Sequence, residues 1–274
     1  GHMYNNPATQ ENLKTLADRG IVIVGPSTGQ LASGLTGPGR LIDPEDILGH
    51  IRVVLGRNGD LSGVKVVVSA AGTEESIDPV RFLGNHSSGK MGYAIAQAAL
   101  DRGAETIIVA APNTLRSPVG AKIVDVITAQ EMNCEIMKEA EGADALIMAA
   151  AVADWRPAKI SGDKIKKQDL QDWSIGLEKT DDILANIDSV RLVKVGFAAE
   201  SENVLSNARK KLHSKNLDLI AANNITCKDT GFGTDINEVM LIDRDGDMEE
   251  LGALTKYDVG NHILNRVAAL LRNR

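Results

Sequence analysis

The stretch Val64-Lys65-Val66-Val67-Val68-Ser69-Ala70-Ala71 is a nearly unbroken run of β-branched and small residues that stops at Gly72. A strand covered on both faces needs no polar alternation, so this run predicts a buried parallel strand. The segments after it alternate in type. Residues 88–102 place Met91, Ile95, Ala98 and Ala99 on one stripe, with Gly103 as the stop, and read as a helix. Residues 106–110 and 123–127 read as strands, 129–141 as a helix and 145–150 as a strand. The unit recurs in a strand over 193–198, a helix over 203–214 and a strand over 217–222. A late strand over 238–243 and an amphipathic helix over 257–272 close the chain. Such alternation predicts the α/β class: a Rossmann-like parallel or mixed sheet with helices on both faces.

Upstream the character changes. Residues 4 to about 50 carry glycine and proline punctuation, in Gly25-Pro26-Ser27-Thr28-Gly29 and Thr36-Gly37-Pro38-Gly39-Arg40. A short helix near residues 9–19 and a short strand over 21–24 are expected before it. Another helix starts at Pro44 with Asp43 placed to cap it, and Asn58-Gly59-Asp60 marks a turn. Gly1-His2-Met3 reads as the scar of a cleaved tag. The expected division is therefore residues 1–3, an N-terminal segment over 4–60, and a main domain over 63–274. Residues 155–180 lack periodicity, and a loop that long inside a compact domain is usually functional or mobile.

Bulk properties exclude several classes. The chain of 274 residues carries a net charge of −7 with acids and bases interleaved, which argues against nucleic acid or an anionic membrane as the main partner. Aromatic residues make up only 3%, too few for base-stacking platforms. Apolar runs such as residues 145–153 are too short to span a bilayer, and no signal peptide is expected. The two cysteines, Cys134 and Cys227, have no metal-like spacing, and the histidines are scattered singly, which speaks against zinc and fits a reducing cytoplasm.

In doubly wound sheets, ligands bind beyond the carboxyl ends of the strands. The loop after the first strand leads into Asp78-Pro79-Val80-Arg81-Phe82-Leu83-Gly84-Asn85-His86-Ser87-Ser88-Gly89-Lys90-Met91-Gly92. Gly84 to Lys90 fits a G-x-x-x-x-G-K pattern, yet Met91 stands where magnesium would require Ser or Thr, and the loop does not leave a strand directly. Ser87 or Ser88 would cap the following helix. Capping accounts for one serine, but not for two serines, two glycines and a lysine at a helix start, where backbone N–H groups and the dipole favour an anion. A second cluster, Ala149-Ala150-Ala151-Val152-Ala153-Asp154-Trp155-Arg156, lets a ligand approach a strand end closely, and Asp154 could accept ribose hydroxyls; a tightly packed strand with a surface aspartate reads equally well. Lys164-Ile165-Lys166-Lys167 follows on a loop, as a solvated run or as mobile charge closing on a triphosphate. Finally, Gly196-Phe197-Ala198-Ala199-Glu200 offers a ring for base or core packing, and Lys211 and Lys215 stand four apart on one helix face.

These five stretches, in order and with matching spacing over about residues 63–271, resemble phosphopantothenate–cysteine ligase, and more closely the synthetase half of the bacterial bifunctional coenzyme A biosynthesis flavoprotein. Residues 4 to about 50 resemble the tail of that protein's FMN-dependent decarboxylase half, through Asn6-Pro7-Ala8-Thr9-Gln10-Glu11-Asn12 and Gly37-Pro38-Gly39-Arg40. Ser33 stands where that half has its acid cysteine, and no FMN is expected on this chain. The resemblance implies that the carboxylate of 4′-phosphopantothenate attacks the α-phosphate of CTP, and that cysteine then takes the acyl group and CMP leaves. It implies Asn85 positioning the acyl-cytidylate, Arg81 nearby, and Lys164 neutralising the triphosphate from a closing loop. Gly72, Ser87, Ser88, Gly89, Lys90, Met91, Met148, Ala149, Ala150, Asp154, Asp181, Asp182, Ile183, Leu184, Phe197, Lys211 and Lys215 would hold the nucleotide. Asp181 replaces a proline of the family's pattern. Magnesium with the triphosphate, a homodimer with shared sites and a cytoplasmic location are implied too.

Two rivals predict different behaviour. A Rossmann reductase would bind NADPH, but the G-x-G-x-x-G turn and the acidic residue after the second strand are both missing. A catalytically silent phosphopantothenate-binding subunit would bind without turnover, against which stand the intact Asn85 and Lys164.

Overall fold

The computed structural model describes residues 2–166, 173–187, 190–200, 203–224 and 234–274; Lys167 of the basic run and Cys227 lie outside the described residues. Two compact units follow one another, Gly1–Leu55 and Gly56–Arg274. In the first, α1 (Pro7–Asp18) starts with proline in its first turn and with Asn6 as cap, whose side chain accepts from the Ala8 N–H at 3.0 Å. β1 (Ser27–Gln30) and β2 (Thr36–Arg40) pair as an antiparallel hairpin whose turn holds Ser33. The strand expected over residues 21–24 does not form: the pairing goes instead to the glycine-rich stretches read as punctuation. Pro38 is tolerated there because a two-stranded ribbon has open edges. α2 (Pro44–Gly56) opens with Glu45 and Asp46, which suit the positive end of the helix dipole. No described residue of this first unit is buried.

The second unit holds the core. Its strands and helices run β3 (Lys65–Ala70), β4 (Glu74–Ser76), β5 (Phe82–Gly84), α3 (Lys90–Asp101), β6 (Glu105–Ala110), β7 (Lys122–Asp125), α4 (Ala129–Ala140) and β8 (Ala145–Met148). They continue as β9 (Trp155–Pro157), β10 (Leu177–Lys179), α5 (Ile183–Asn186), β11 (Val193–Glu200), α6 (Val204–Ser214), β12 (Leu219–Asn224), β13 (Ile236–Asp243), β14 (Met248–Thr255) and α7 (Lys256–Arg272). Eight strands form one sheet in the order β14-β13-β12-β11-β8-β3-β6-β7. The six from β12 to β7 are parallel, while β13 pairs antiparallel with β12 and β14 antiparallel with β13. The α/β reading therefore holds as a mixed sheet.

The valine run works as its composition predicts. Val66, Val68 and Ala70 join one core layer with Ile95, Ala99, Ile263 and Val267 of α3 and α7. Val67 and Ala71 face the other layer with Met132, Ile136, Ala208 and Leu212 of α4 and α6. Side chains alternate faces along a strand, so both faces of β3 are covered and each valine there contributes roughly 1.5–3 kcal/mol of burial. Glycine lets α3 lie close: a Cβ on Gly92 would stand 2.7 Å from Ala70 Cβ and 2.8 Å from the Ser69 carbonyl.

Two expectations need correction. α3 begins at Lys90 and not at residue 88, and no serine caps it: the cap position is Gly89, at φ 75°, with no side-chain hydrogen bond. That left-handed residue breaks the helical path, and the serines stay in the loop before it. Residues 155–180 are not all loop either, since β9 and β10 pair as a hairpin across them.

Candidate active site

From β3 the chain steps to β6 and β7 on one side, then returns to β8 on the other, so the order reverses between β3 and β8. The carboxyl ends of those two strands open a crevice there. Three hydrogen bonds shape its floor. Ser69 Oγ accepts from the Ala150 N–H at 3.0 Å, Thr73 Oγ1 accepts from the Ala153 N–H at 2.9 Å, and the Ala71 carbonyl accepts from the Ala151 N–H at 2.8 Å. Ala71 itself is held at φ 67°, a conformation costly for a residue with a Cβ and found where a site demands it. Gly72 bridges to Ala151, and a Cβ on it would stand 2.6 Å from the Asn85 carbonyl, so only glycine lets these two loops meet.

The crevice is a cavity of about 880 Å³, within the size range of small-molecule sites. Every candidate binding or catalytic residue lines it except Gly72, Arg81 and Lys164. Asn85 donates from its side-chain nitrogen to the Val152 carbonyl at 3.1 Å, which fixes the amide at the wall. The first turn of α3, at Lys90 and Met91, presents its backbone N–H groups and dipole to the cavity. At the other end Lys215 Nζ lies 3.1 Å from Asp182, whose carboxylate also caps α5 through the Ala185 N–H at 3.2 Å. Lys211 Nζ donates to the Phe197 carbonyl at 2.6 Å, within β11 and three residues before its end. Asp154, Asp181, Ile183 and Leu184 complete that side.

Charge separates this cavity from the rest of the surface. Five lysines (Lys90, Lys179, Lys211, Lys215 and Lys256) and three aspartates line it, in a chain whose net charge is −7. Sequence reading missed Lys256, which is only 7% exposed and donates to the Thr234 carbonyl. Burial pushes its ammonium pKa down, and the charge of Lys90 lowers it further, against Asp235. Asp235 accepts from Lys90 at 2.7 Å, and that hydrogen bond holds its carboxyl below the usual range. Ser69, Thr73 and Thr180, whose Oγ1 donates to the Ala153 carbonyl at 2.6 Å, were missed too. Among the described residues no group of three His, Cys, Asp or Glu side chains stands ready for a metal ion, and no helix is long and apolar enough to cross a membrane.

Arg81 and Lys164 sit off the cavity wall. Lys164 is exposed, next to Ile165, whose carbonyl accepts from Arg81 Nη2 at 3.1 Å.

Residues 61–271 match the family described as DNA/pantothenate metabolism flavoprotein C-terminal domain. The coenzyme A biosynthesis bifunctional protein CoaBC of Bacillus subtilis (strain 168) is 41% identical over 274 residues, covering 98% of this chain and 67% of the relative. That of Escherichia coli (strain K12) is 42% identical over 277 residues, covering 94% and 68%. The crystal structure of the C-terminal domain of a coenzyme A biosynthesis bifunctional protein CoaBC superposes with a TM-score of 0.68 at 37% identity, covering 79% of this chain and all of that one.

Proposed function

Since the chain belongs to the DNA/pantothenate metabolism flavoprotein C-terminal domain family, we propose that it ligates 4′-phosphopantothenate to cysteine in coenzyme A biosynthesis, with CTP activating the carboxylate. One observation carries the reading: a single lysine-rich cavity at the strand-order reversal gathers residues from motifs spread between Asn85 and Lys215. A polyanionic substrate pair suits that charge.

A free carboxylate is a poor acyl donor, so its oxygen attacks the α-phosphorus of CTP and pyrophosphate leaves. The amine of cysteine then attacks the acyl carbon, loses a proton, and CMP departs. In this scheme the first turn of α3 and Lys90 hold phosphate oxygens, while Asn85 orients the activated acyl group. Asp182, Phe197, Lys211 and Lys215 hold the nucleoside end. Lys164 meets charge that develops on the triphosphate, where a positioned cation is worth most. Magnesium would arrive with the triphosphate and offset its charge. The reading includes a cytoplasmic homodimer whose sites are completed across the interface, joined in the full-length parent to a decarboxylase domain.

The test mixes protein, magnesium, 4′-phosphopantothenate and cysteine with CTP or ATP, and follows pyrophosphate and nucleoside monophosphate. Phosphopantothenate-dependent release of pyrophosphate and CMP is expected. AMP release with ATP alone would reassign the nucleotide, and no turnover from folded protein would leave a binding subunit.

A further inference from the structure

Arg81 and Lys164, the two catalytic candidates that stand off the cavity wall, are joined through Asp78, which opens the first motif stretch and has no role assigned so far. Asp78 is 3% exposed. Its Oδ1 accepts the N–H groups of Val80 and Arg81 at 2.8 and 2.9 Å, and its Oδ2 accepts the N–H of Ile165 at 3.3 Å. Oδ2 also lies 3.5 Å from Arg81 Nη1. The same guanidinium donates to the Ile165 carbonyl at 3.1 Å and stacks over the Trp173 ring, 5.2 Å from its centroid. Both backbone polar groups of Ile165 are thus held by one acid–base pair that is more than eighty residues away in sequence.

A carboxylate that accepts from residues two and three ahead makes an ordinary local turn. That turn explains the bonds to Val80 and Arg81. It does not explain why the second oxygen and the guanidinium reach across to one distant residue from both sides. A buried carboxylate is costly unless every lone pair finds a donor, and here the donors include the loop itself. Burial alone would push the Asp78 carboxyl up, but the three N–H groups and the Arg81 charge outweigh it and hold the group below its ordinary value. The clip is therefore charged at neutral pH, and it fixes the peptide from which the Lys164 backbone continues.

We propose that Asp78 is a positioning residue for the ligation: with Arg81 it clips the Ile165 peptide and so sets where Lys164 stands when the triphosphate reacts. The inference rests on the role given to Lys164 above. Lysine has a long, flexible stem, and its ammonium contributes to a transition state only if the backbone end is fixed.

Asp78→Asn separates the two halves of the turn. The amide oxygen can still accept from Val80 and Arg81, while the amide nitrogen presents a donor to the Ile165 N–H and loses the charge that holds Arg81. Expected is a fall in kcat of about 10- to 100-fold with KM for CTP and phosphopantothenate within about threefold, the pattern of an interaction used only in the transition state. In a Trp155→Phe background, which leaves Trp173 as the sole tryptophan, iodide quenching of its selectively excited emission rises in the Asn variant. Lys164→Ala and the double variant close the cycle: if Asp78 acts through Lys164, the double variant is no slower than Lys164→Ala alone. Additive losses, or an unchanged kcat in Asp78→Asn, overturn the inference. If Lys164→Ala itself keeps full activity, the role of Lys164 fails first, and the two failures are distinguishable. Should the Asn variant not fold, Trp173→Leu removes the exposed ring that backs the guanidinium; it should lower kcat several-fold, again without further effect in the Lys164→Ala background, and no loss would count against the clip.

Discussion

Lys256 and Asp78 are two of the charged residues that the fold buries, at 7% and 3% exposed, and each makes a separate prediction. Lys256 stands on the cavity wall beside Lys90, so its charge is a binding element. Lys256→Met keeps the stem and removes the ammonium; affinity for the phosphorylated substrates should fall about tenfold, roughly 1.4 kcal/mol, as measured by calorimetry with each ligand separately. Unchanged affinity for both would remove Lys256 from the site. For Asp78 the relevant variable is pH. Its folded-state pKa lies below the ordinary 3.8, so it contributes stability that is present above that value and lost as pH falls through the lower folded value. The stability gap between the wild type and Asp78→Asn should be flat above about pH 5 and narrow below it, in urea titrations at a series of pH values. Neither residue announced itself. Asn85, Lys90, Lys211 and Lys215 were legible because their type and place in spaced motifs point to a ligand, whereas Lys256 opens a helix in an ordinary amphipathic pattern, and Asp78, though it opens the same stretch as Asn85, has a partner far off in sequence that only the fold reveals.

The elements that set the site were read unevenly, and the reasons are physical. β3, β6 and β8 announce themselves because strands buried on both faces must be apolar throughout. β4, β5, β9 and β10 are three residues each, too short for any period to show. β14, at the sheet edge, buries only Leu251 and carries two adjacent glutamates, Glu249 and Glu250, which disguised it. The start of α3 was misjudged because Ser87 and Ser88 look like caps, while the glycine after them takes the cap position. The closeness of α3 to β3 gives a direct check. Gly92→Ala sets a methyl 2.7 Å from Ala70 Cβ and 2.8 Å from the Ser69 carbonyl, and neither can move without moving β3. A loss of about 1–3 kcal/mol in unfolding free energy is expected, together with weaker binding of anions at the shifted helix start. A neutral effect on stability would mean that α3 does not pack this closely.

The sheet as a unit explains why one cavity collects residues so far apart in sequence. Six parallel strands send their carboxyl ends to the same edge, and the reversal between β3 and β8 parts the loops there. The opposite edge serves stability: Asp144 accepts from the Lys65 N–H at 2.7 Å where β3 begins, and Asp218 accepts from the Lys194 N–H at 2.8 Å near the start of β11. Ligand chemistry and strand anchoring are thereby kept at opposite ends of the same strands. The preceding unit, Gly1–Leu55, has no buried described residue of its own, and its glycine-rich hairpin gave no chemical signal beyond its resemblance to a decarboxylase tail. What distinguishes the proposed ligase from a phosphopantothenate-binding subunit, or from an enzyme using an acyl phosphate, is the covalent intermediate. The direct measurement is a rapid quench of the protein with magnesium, CTP and 4′-phosphopantothenate, cysteine omitted, followed by mass spectrometry. The proposed mechanism predicts 4′-phosphopantothenoyl-cytidylate together with pyrophosphate, both depending on phosphopantothenate, and discharge of the adduct to CMP when cysteine is added. Absence of the adduct and of pyrophosphate, or release of CDP and inorganic phosphate in their place, would contradict it.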